Sequence, residues 1–129
     1  MKYLGIDFGG KRVGLAVSDE TNRLAFPHSV ILNNENLLTE VVKIIKEENI
    51  GSIIIGESKD FKGEPNKIMV EIEKFKNKLA EKTKLKIYFE PEFMTSVQAK
   101  HIQGENDMHD ASVAAIILQS YLDKNSYML

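Results

Sequence analysis

Three carboxylates in this chain are the residues best suited to chemistry. Asp7 lies inside an otherwise apolar segment, GIDFG, where a charge is costly unless it is paired or binds a cation. Glu92 follows the last predicted strand, and Asp110 opens the last predicted helix. Oxygen ligands that meet at one end of a sheet can hold Mg²⁺ or Mn²⁺, which activates water for phosphodiester hydrolysis. These residues therefore predict a metal-dependent phosphodiesterase site.

Weaker candidates and ordinary structural explanations stand beside this prediction. Glu57 follows the central strand and Asp107 lies three residues before Asp110, so both are additional candidate metal ligands. His109, adjacent to Asp110, could carry a proton. An Asp in a Gly-rich hairpin can instead be a turn residue, one at a helix start can be an N-cap, and Glu92 can be solvated. Only the conjunction of distant acidic residues favours the metal site.

The first part of the chain has the pattern of a three-stranded meander. Two apolar-rich runs, Lys2 to Phe8 and Arg12 to Ser18, are separated by Gly-Gly-Lys, which is the spacing of a hairpin. A third run, around residues 25–32, contains Pro27. Because proline cannot donate a hydrogen bond to a neighbouring strand, we expect this run at the edge of the sheet.

Helices and strands alternate through the rest of the chain. The predicted elements are a helix from about Leu37 to Glu48 capped by Asn34 or Asn36, a buried strand at 52–56, a helix with Ile68 or Met69, Ile72, Phe75 and Leu79 on one face, a strand at 86–90, and helices at about 95–103 and 110–123. This order predicts an α/β fold with a mixed central sheet and helices on both faces. No linker or repeat divides residues 1–129, so we expect a single domain.

Composition limits the classes of function. The 129 residues include no cysteine, which excludes disulfides, a thiolate nucleophile and Cys-type zinc sites. No apolar run approaches the roughly 18 residues that span a bilayer, so we expect a cytoplasmic protein with no membrane partner. The net charge is −2, but neutralising three metal-binding carboxylates of the 19 acidic residues leaves 16 against 17 basic ones. We therefore expect weak, salt-sensitive and metal-dependent binding to nucleic acid.

Substrate phosphates would need cationic donors. Lys11 and Arg12, in the hairpin beside Asp7, are the first candidates for nucleic-acid binding, and Lys59 and Lys62, after the central strand, form a second group. Most lysines of this chain alternate with Glu along helix faces, which is typical of ordinary solvated surface.

Three segments of the chain resemble the RuvX/YqgF family. GIDFGGKRVGLAVSD at residues 5–19 is similar to its signature G-x-D-x-G-x-x-R-x-G-x-A-x-S-D. EFMTSVQA at 92–99 resembles the family's D-E-R-x-T-T-x-x-A stretch, and DASVAAIILQSYL at 110–122 resembles its closing helix. The resemblance covers essentially the whole chain. It implies an RNase H-like, resolvase-like nuclease fold in which Asp7, Glu92 and Asp110 bind Mg²⁺ or Mn²⁺ as the catalytic triad.

The resemblance also implies a substrate. It indicates a nuclease for the 5′ end of pre-16S rRNA in ribosome biogenesis, acting on structured RNA rather than branched DNA, as a monomer or weak homodimer. A Holliday junction resolvase-like DNA endonuclease and a non-catalytic RNA-binding module for ribosome assembly remain alternatives. The first motif also resembles the phosphate hairpin of actin-like ATPases and sugar kinases, but that fold needs two lobes, and 129 residues supply one.

Two departures from the family pattern concern the expected site. Pro91-Glu92-Phe93 stands where the family usually has Asp-Glu-Arg, so an acidic partner and a basic phosphate contact are missing. Gly56-Glu57-Ser58 replaces the common G-L-P, which adds a carboxylate; related junction resolvases also carry an acidic residue on this strand. The first departure keeps the non-catalytic alternative open.

Overall fold

The computed structural model describes residues 1–57, 67–91 and 108–126 and contains a mixed five-stranded sheet flanked by helices. The strands are β1 (Lys2–Phe8), β2 (Arg12–Ser18), β3 (Ala25–Leu32), β4 (Ile50–Glu57) and β5 (Lys86–Pro91). The helices are α1 (Leu37–Glu47), α2 (Ile68–Thr83) and α3 (His109–Ser126). None of the helices in these ranges is long and apolar enough to cross a membrane.

The strands lie in the order β3-β2-β1-β4-β5. β1, β2 and β3 form the predicted antiparallel meander, whereas β1, β4 and β5 run parallel to one another. β3 is an edge strand, as its Pro27 predicts, and its pairing with β2 shifts register between Leu15 and Ala16. The carboxyl ends of β1, β4 and β5 consequently meet at one edge of the sheet.

Two apolar layers cover the two faces of the sheet, which confirms the predicted architecture. Leu4, Ile6 and Ile53 point to the face covered by α1 and α2, while Ile54 points to the face covered by α3. This alternation follows from the two-residue repeat of a strand. Fully burying each such aliphatic side chain contributes about 1.5–3 kcal/mol, so packing on the sheet holds α1, α2 and α3 in position.

The predicted helix boundaries are close to the observed ones, and the differences concern caps. Asn36 precedes α1 but makes no side-chain cap hydrogen bond; instead the Asn34 carboxamide oxygen accepts a hydrogen bond from the Asn36 N–H at 2.9 Å. α3 begins at His109, one residue before the predicted start. The short helix predicted at about 95–103 lies outside the described residues.

A salt bridge between β1 and the end of α1 makes stability depend on pH. Lys2 Nζ donates to Glu48 Oε1 at 2.8 Å, and His28 Nε2 lies 3.6 Å from Glu48 Oε2. The hydrogen bond from Lys2 is the main cause that lowers the pKa of Glu48 below its ordinary value of 4.5. A carboxylate with a lowered pKa stabilises the fold above its unfolded pKa and loses that contribution as the pH falls through the folded value.

Replacing Glu48 by Gln is therefore expected to destabilise the protein more at neutral pH than at acid pH. We expect a loss of about 0.5 kcal/mol in the free energy of unfolding near pH 7, because a partly exposed pair is screened by solvent. At acid pH, below the lowered pKa of Glu48, the urea midpoints of the wild type and the variant should converge, since protonation removes the charge that Lys2 pairs with. Glu47→Gln, which removes an exposed carboxylate paired with Lys43 at 3.8 Å, is the matched control. An equal loss from Glu48→Gln at both pH values would contradict the assignment.

Candidate metal and nucleic-acid site

Asp7 lies near the carboxyl end of β1, on the face of the sheet that α3 covers. Its antiparallel partner in β2 is Gly14. Facing residues in such a pair point to the same side, with Cβ positions about 5 Å apart. Two residues earlier on this face, a Cβ built on Gly5 would lie 2.7 Å from the Leu118 Cβ of α3. The half-buried Asp7 side chain therefore lies on the α3 side.

The first turn of α3 places Asp110 on the same face of the sheet, beside Gly14. A Cβ on Gly14 would overlap the backbone carbonyl of Asp110 and the amide nitrogen of Ala111. The helix thus packs onto β2 where only a glycine leaves room for its backbone. Asp7 and Asp110, at opposite ends of the chain, consequently lie on one face of the sheet, and Gly14 is both the strand partner of Asp7 and the packing partner of the Asp110 backbone.

Arg12, predicted to bind nucleic acid, also reaches this cluster. It lies on the same face of β2 as Gly14, and its Nε donates to Asp110 Oδ2 at 2.9 Å. The Arg12 side chain is 61% exposed and that of Asp110 is 23% exposed. The site therefore contains two carboxylates and a solvent-facing guanidinium in contact with one of them.

The hairpin turn that carries Lys11 and Arg12 is held by Asn33, a residue that the sequence did not single out. The Gly9 N–H donates to the Arg12 carbonyl at 3.0 Å, which closes the turn. Asn33 follows β3 and binds both sides of this turn: its Nδ2 donates to the Gly9 carbonyl at 2.8 Å and its backbone N–H donates to the Lys11 carbonyl at 2.9 Å. Asn33 thus fixes the backbone that presents the two basic side chains.

The stability of Asn33 variants is expected to depend on whether the new side chain can donate a hydrogen bond to the Gly9 carbonyl. Asn33→Ala should lower the free energy of unfolding by about 1 kcal/mol, because one hydrogen bond is lost and the Gly9 carbonyl can rehydrate. Asn33→Asp should cost more than Asn33→Ala, since it sets a carboxylate oxygen against that carbonyl oxygen. Urea unfolding of both variants measures which one loses more stability. If Asn33→Asp proved as stable as the wild type, the side-chain clamp would be refuted.

The remaining predicted site residues differ in what the structure says of them. Glu92, Asp107, Lys59 and Lys62 lie outside the described residues. Glu57 ends β4 at the same edge as Asp7, but strand alternation assigns it, with Ile55, to the face covered by α1 and α2. Glu57 could contribute to a metal site beside Asp7 only if its side chain reached around the end of β4.

The end of the first motif is structural. Asp19 holds the turn between β2 and β3: Oδ1 accepts the N–H groups of Arg23 and Leu24, and Oδ2 accepts the Thr21 hydroxyl. Partial desolvation alone would raise the pKa of Asp19, but these hydrogen bonds and one from the Asn22 backbone together lower it. The motif thus carries the candidate site at residues 7–14 and ends at Asp19, which anchors the following turn.

A buried carboxylate on β5 was not identified from the sequence. Glu90 is buried, and its Oε2 accepts hydrogen bonds from Ser120 Oγ at 2.8 Å and Lys124 Nζ at 2.6 Å of α3. Burial is the main cause that raises the pKa of the nearby Tyr121 hydroxyl. The only signal in the sequence is the alternation of KIYFE, which places Glu90 and Tyr88 on one strand face. Glu90 therefore fixes α3 against the strand that ends at Pro91.

The chemistry of the donor set fits a hard divalent cation. Mg²⁺ is usually held by one or two carboxylates together with water and substrate phosphate oxygens, and Asp7 and Asp110 supply two. Within residues 1–57, 67–91 and 108–126 no group of three or more His, Asp or Glu side chains forms a metal cluster. Beside Asp110, the buried Nδ1 of His109 has no hydrogen-bond partner among these residues. The described residues thus provide a carboxylate pair with polar groups around it.

Comparison with known proteins adds independent information. The family model "RuvX: Holliday junction resolvase" matches residues 1–124. The chain is 30% identical to a "Putative pre-16S rRNA nuclease" of Nitratidesulfovibrio vulgaris, over 98% of this chain and 87% of the relative. It is 33% identical to a protein of the same name from Maridesulfovibrio salexigens, over 95% of this chain and 98% of the relative.

A solved structure establishes the fold. RuvC of T. thermophilus, in complex with a Holliday junction substrate, matches with a TM-score of 0.67 and 15% identity, over 98% of this chain and 96% of that one. The RuvC resolvases have an RNase H-like fold. The RNase H-like, resolvase-like fold predicted from the motifs is therefore confirmed.

Proposed function

Because the chain belongs to the RuvX family, we propose that it is a metal-dependent nuclease that hydrolyses phosphodiester bonds in the 5′-end processing of pre-16S rRNA. The family is one of phosphodiester hydrolases, and the curated relatives carry a pre-16S rRNA nuclease name. The proposed cofactor is Mg²⁺ or Mn²⁺, and the proposed partner is structured RNA.

One observation carries the metal-dependent part of this proposal. The backbone of Asp110 packs directly on Gly14, which is the pairing partner of Asp7. Two acidic residues on elements that meet at one glycine repel each other in the absence of a positive charge, so a cation or a basic side chain nearby stabilises this arrangement. A stability role alone does not require two acidic residues on this face.

Asp7 and Asp110 would hold the cation, and Glu92, matched through the motif at 92–99, is the proposed third ligand. When bound, the cation supplies acidification of water and stabilisation of charge on the phosphoryl oxygens. The protein's own contribution is to fix the two carboxylates on rigid elements, β1 and the first turn of α3. The partial burial of Asp110 limits screening of its charge by salt.

The basic residues of the hairpin would hold the substrate. Lys11 is exposed in the turn, and Arg12 projects from the start of β2 beside Asp110. Both can donate to phosphate oxygens, Arg12 with a planar fork of donors that matches a phosphate. Lys59 and Lys62, which follow β4 in the sequence, remain proposed phosphate contacts. The scissile phosphate would then lie between the hairpin and the carboxylate pair.

A second function is favoured by the family description, which names a Holliday junction resolvase. The same carboxylates and hairpin would act on a branched DNA, whose phosphates present the same chemistry to Arg12. A junction resolvase cuts paired strands and would need two sites held together in a dimer. The substrate and the oligomeric state therefore distinguish the two functions.

A single assay separates these possibilities. The purified protein is incubated with Mg²⁺ or Mn²⁺ and, side by side, labelled single-stranded RNA, precursor 16S rRNA and a four-way DNA junction. We expect cleavage of the precursor, lost on chelation with EDTA. Preferential cleavage of the junction would favour the resolvase alternative. Binding to RNA without cleavage of any substrate would refute the nuclease and support a non-catalytic module.

A further inference from the structure

We propose that Arg12 exchanges between two partners, the Asp110 carboxylate and a substrate phosphate, and that it therefore opposes cation binding while supporting nucleic-acid binding. The inference rests on the proposed function, because it assigns a cation to Asp110 and a phosphate to Arg12. It adds a coupling between cation binding at Asp110 and phosphate binding at Arg12. Neither the motif nor the family membership supplies this coupling.

The first observation is that Arg12 contacts the same group that the cation would need. Its Nε lies 2.9 Å from Asp110 Oδ2, within hydrogen-bond distance. A guanidinium and a divalent cation are both positive, and both seek carboxylate oxygens. They consequently compete for the Asp110 carboxylate, and each weakens the binding of the other.

The second observation is that this ion pair is poorly suited to a stabilising role. The Arg12 side chain is 61% exposed, and pairs of this kind contribute little to folding. The contact uses one of the five donors of the guanidinium. An exposed cation with several donors, attached to Asp110 by one hydrogen bond, can transfer to a phosphate at small cost.

The third observation is that only the side chain of Arg12 needs to move. Its carbonyl accepts the Gly9 N–H at 3.0 Å, and its backbone pairs with Leu32 of β3. Asn33 holds the other side of the same turn. The Cα of Arg12 is therefore fixed between the cation site and the solvent, and rotation about its side-chain bonds is sufficient for the exchange.

The proposal predicts effects of opposite sign in one variant. Arg12→Ala should tighten Mn²⁺ binding about two- to fivefold, because a competing exposed ion pair of ordinary strength is removed. It should also weaken binding to a short single-stranded RNA, with a salt dependence whose slope falls by about 0.7, the value of one phosphate contact. If Arg12 had a purely structural role, Arg12→Ala would instead lower the melting temperature and weaken the binding of both Mn²⁺ and RNA.

Mn²⁺ affinity is measured by calorimetry on the full chain without nucleic acid, and RNA affinity by fluorescence anisotropy in Ca²⁺ over a range of salt. Lys11→Ala is the matched control, because it removes a positive charge from the adjacent position. It should weaken RNA binding but change Mn²⁺ affinity less than Arg12→Ala does. Thermal melting of each variant should stay close to that of the wild type.

The outcomes separate this inference from the proposed function. If the wild type binds Mn²⁺ and cleaves RNA while Arg12→Ala has unchanged or weaker Mn²⁺ affinity, the exchange is wrong and the nuclease assignment stands. Equal tightening of Mn²⁺ binding in Arg12→Ala and Lys11→Ala would also overturn the exchange, since net charge alone would explain it. A wild type that neither binds Mn²⁺ nor cleaves any substrate overturns both proposals.

Discussion

Gly14→Ala is expected to lower the free energy of unfolding by about 3 kcal/mol, because the added methyl group meets a backbone rather than a flexible side chain. The Cβ would overlap the Asp110 carbonyl, so α3 must move away from β2. Urea unfolding measures the loss. Cleavage should fall in parallel, since the same shift carries Asp110 away from Asp7.

Gly10 provides the matched control for this substitution. It lies in the same Gly-rich motif, and a Cβ on Gly10 would have no heavy atom of the described residues within 4 Å. Gly10→Ala should therefore change stability by less than about 0.5 kcal/mol. If Gly14→Ala and Gly10→Ala were equally stable, the close contact between α3 and β2 would be excluded.

Asp7→Asn is expected to reduce metal-dependent cleavage by roughly 100-fold or more, because it removes an anionic ligand without changing the shape of the side chain. The thermal midpoint should stay within about 3 °C of the wild type or rise, since Asp7 and Asp110 no longer repel each other. Cleavage of labelled precursor rRNA and a thermal melt, measured on the same preparation, test both expectations.

Asp19→Asn is the control for Asp7→Asn. Asp19 belongs to the same motif but holds an exposed turn, where the Asn side chain keeps an acceptor for the backbone N–H groups. This variant should cleave at close to the wild-type rate. Full activity of Asp7→Asn would remove Asp7 from the site.

The pattern of apolar residues determined most of the fold. The apolar-rich runs of β1 and β2, the buried run of β4 and the helical spacing of Met69, Ile72 and Phe75 in α2 all correspond to observed elements. Pro27 marked the edge strand because its missing N–H is incompatible with a position inside a sheet. These features are local, so neighbouring residues are sufficient to encode them.

Hydrogen bonds between distant segments could not be predicted in the same way. Asn33 and Glu90 look like a loop residue and a surface acid in the sequence, yet one holds the hairpin turn and the other is buried against α3. Their partners lie between 22 and 34 residues away along the chain, a separation at which no periodicity acts. The face of Glu57 likewise follows from the register of β4 in the sheet.

The sequence by itself determined which residues are available for chemistry: Asp7 and Asp110 as carboxylates at element ends, and Lys11 and Arg12 as cations in a glycine hairpin. Only the tertiary structure decided that α3 packs its first turn on Gly14, so that the two carboxylates lie on one face. It also decided that Arg12 contacts Asp110. The reason is physical, because ion pairs and backbone contacts depend on distances of a few ångströms between segments that chain order leaves far apart.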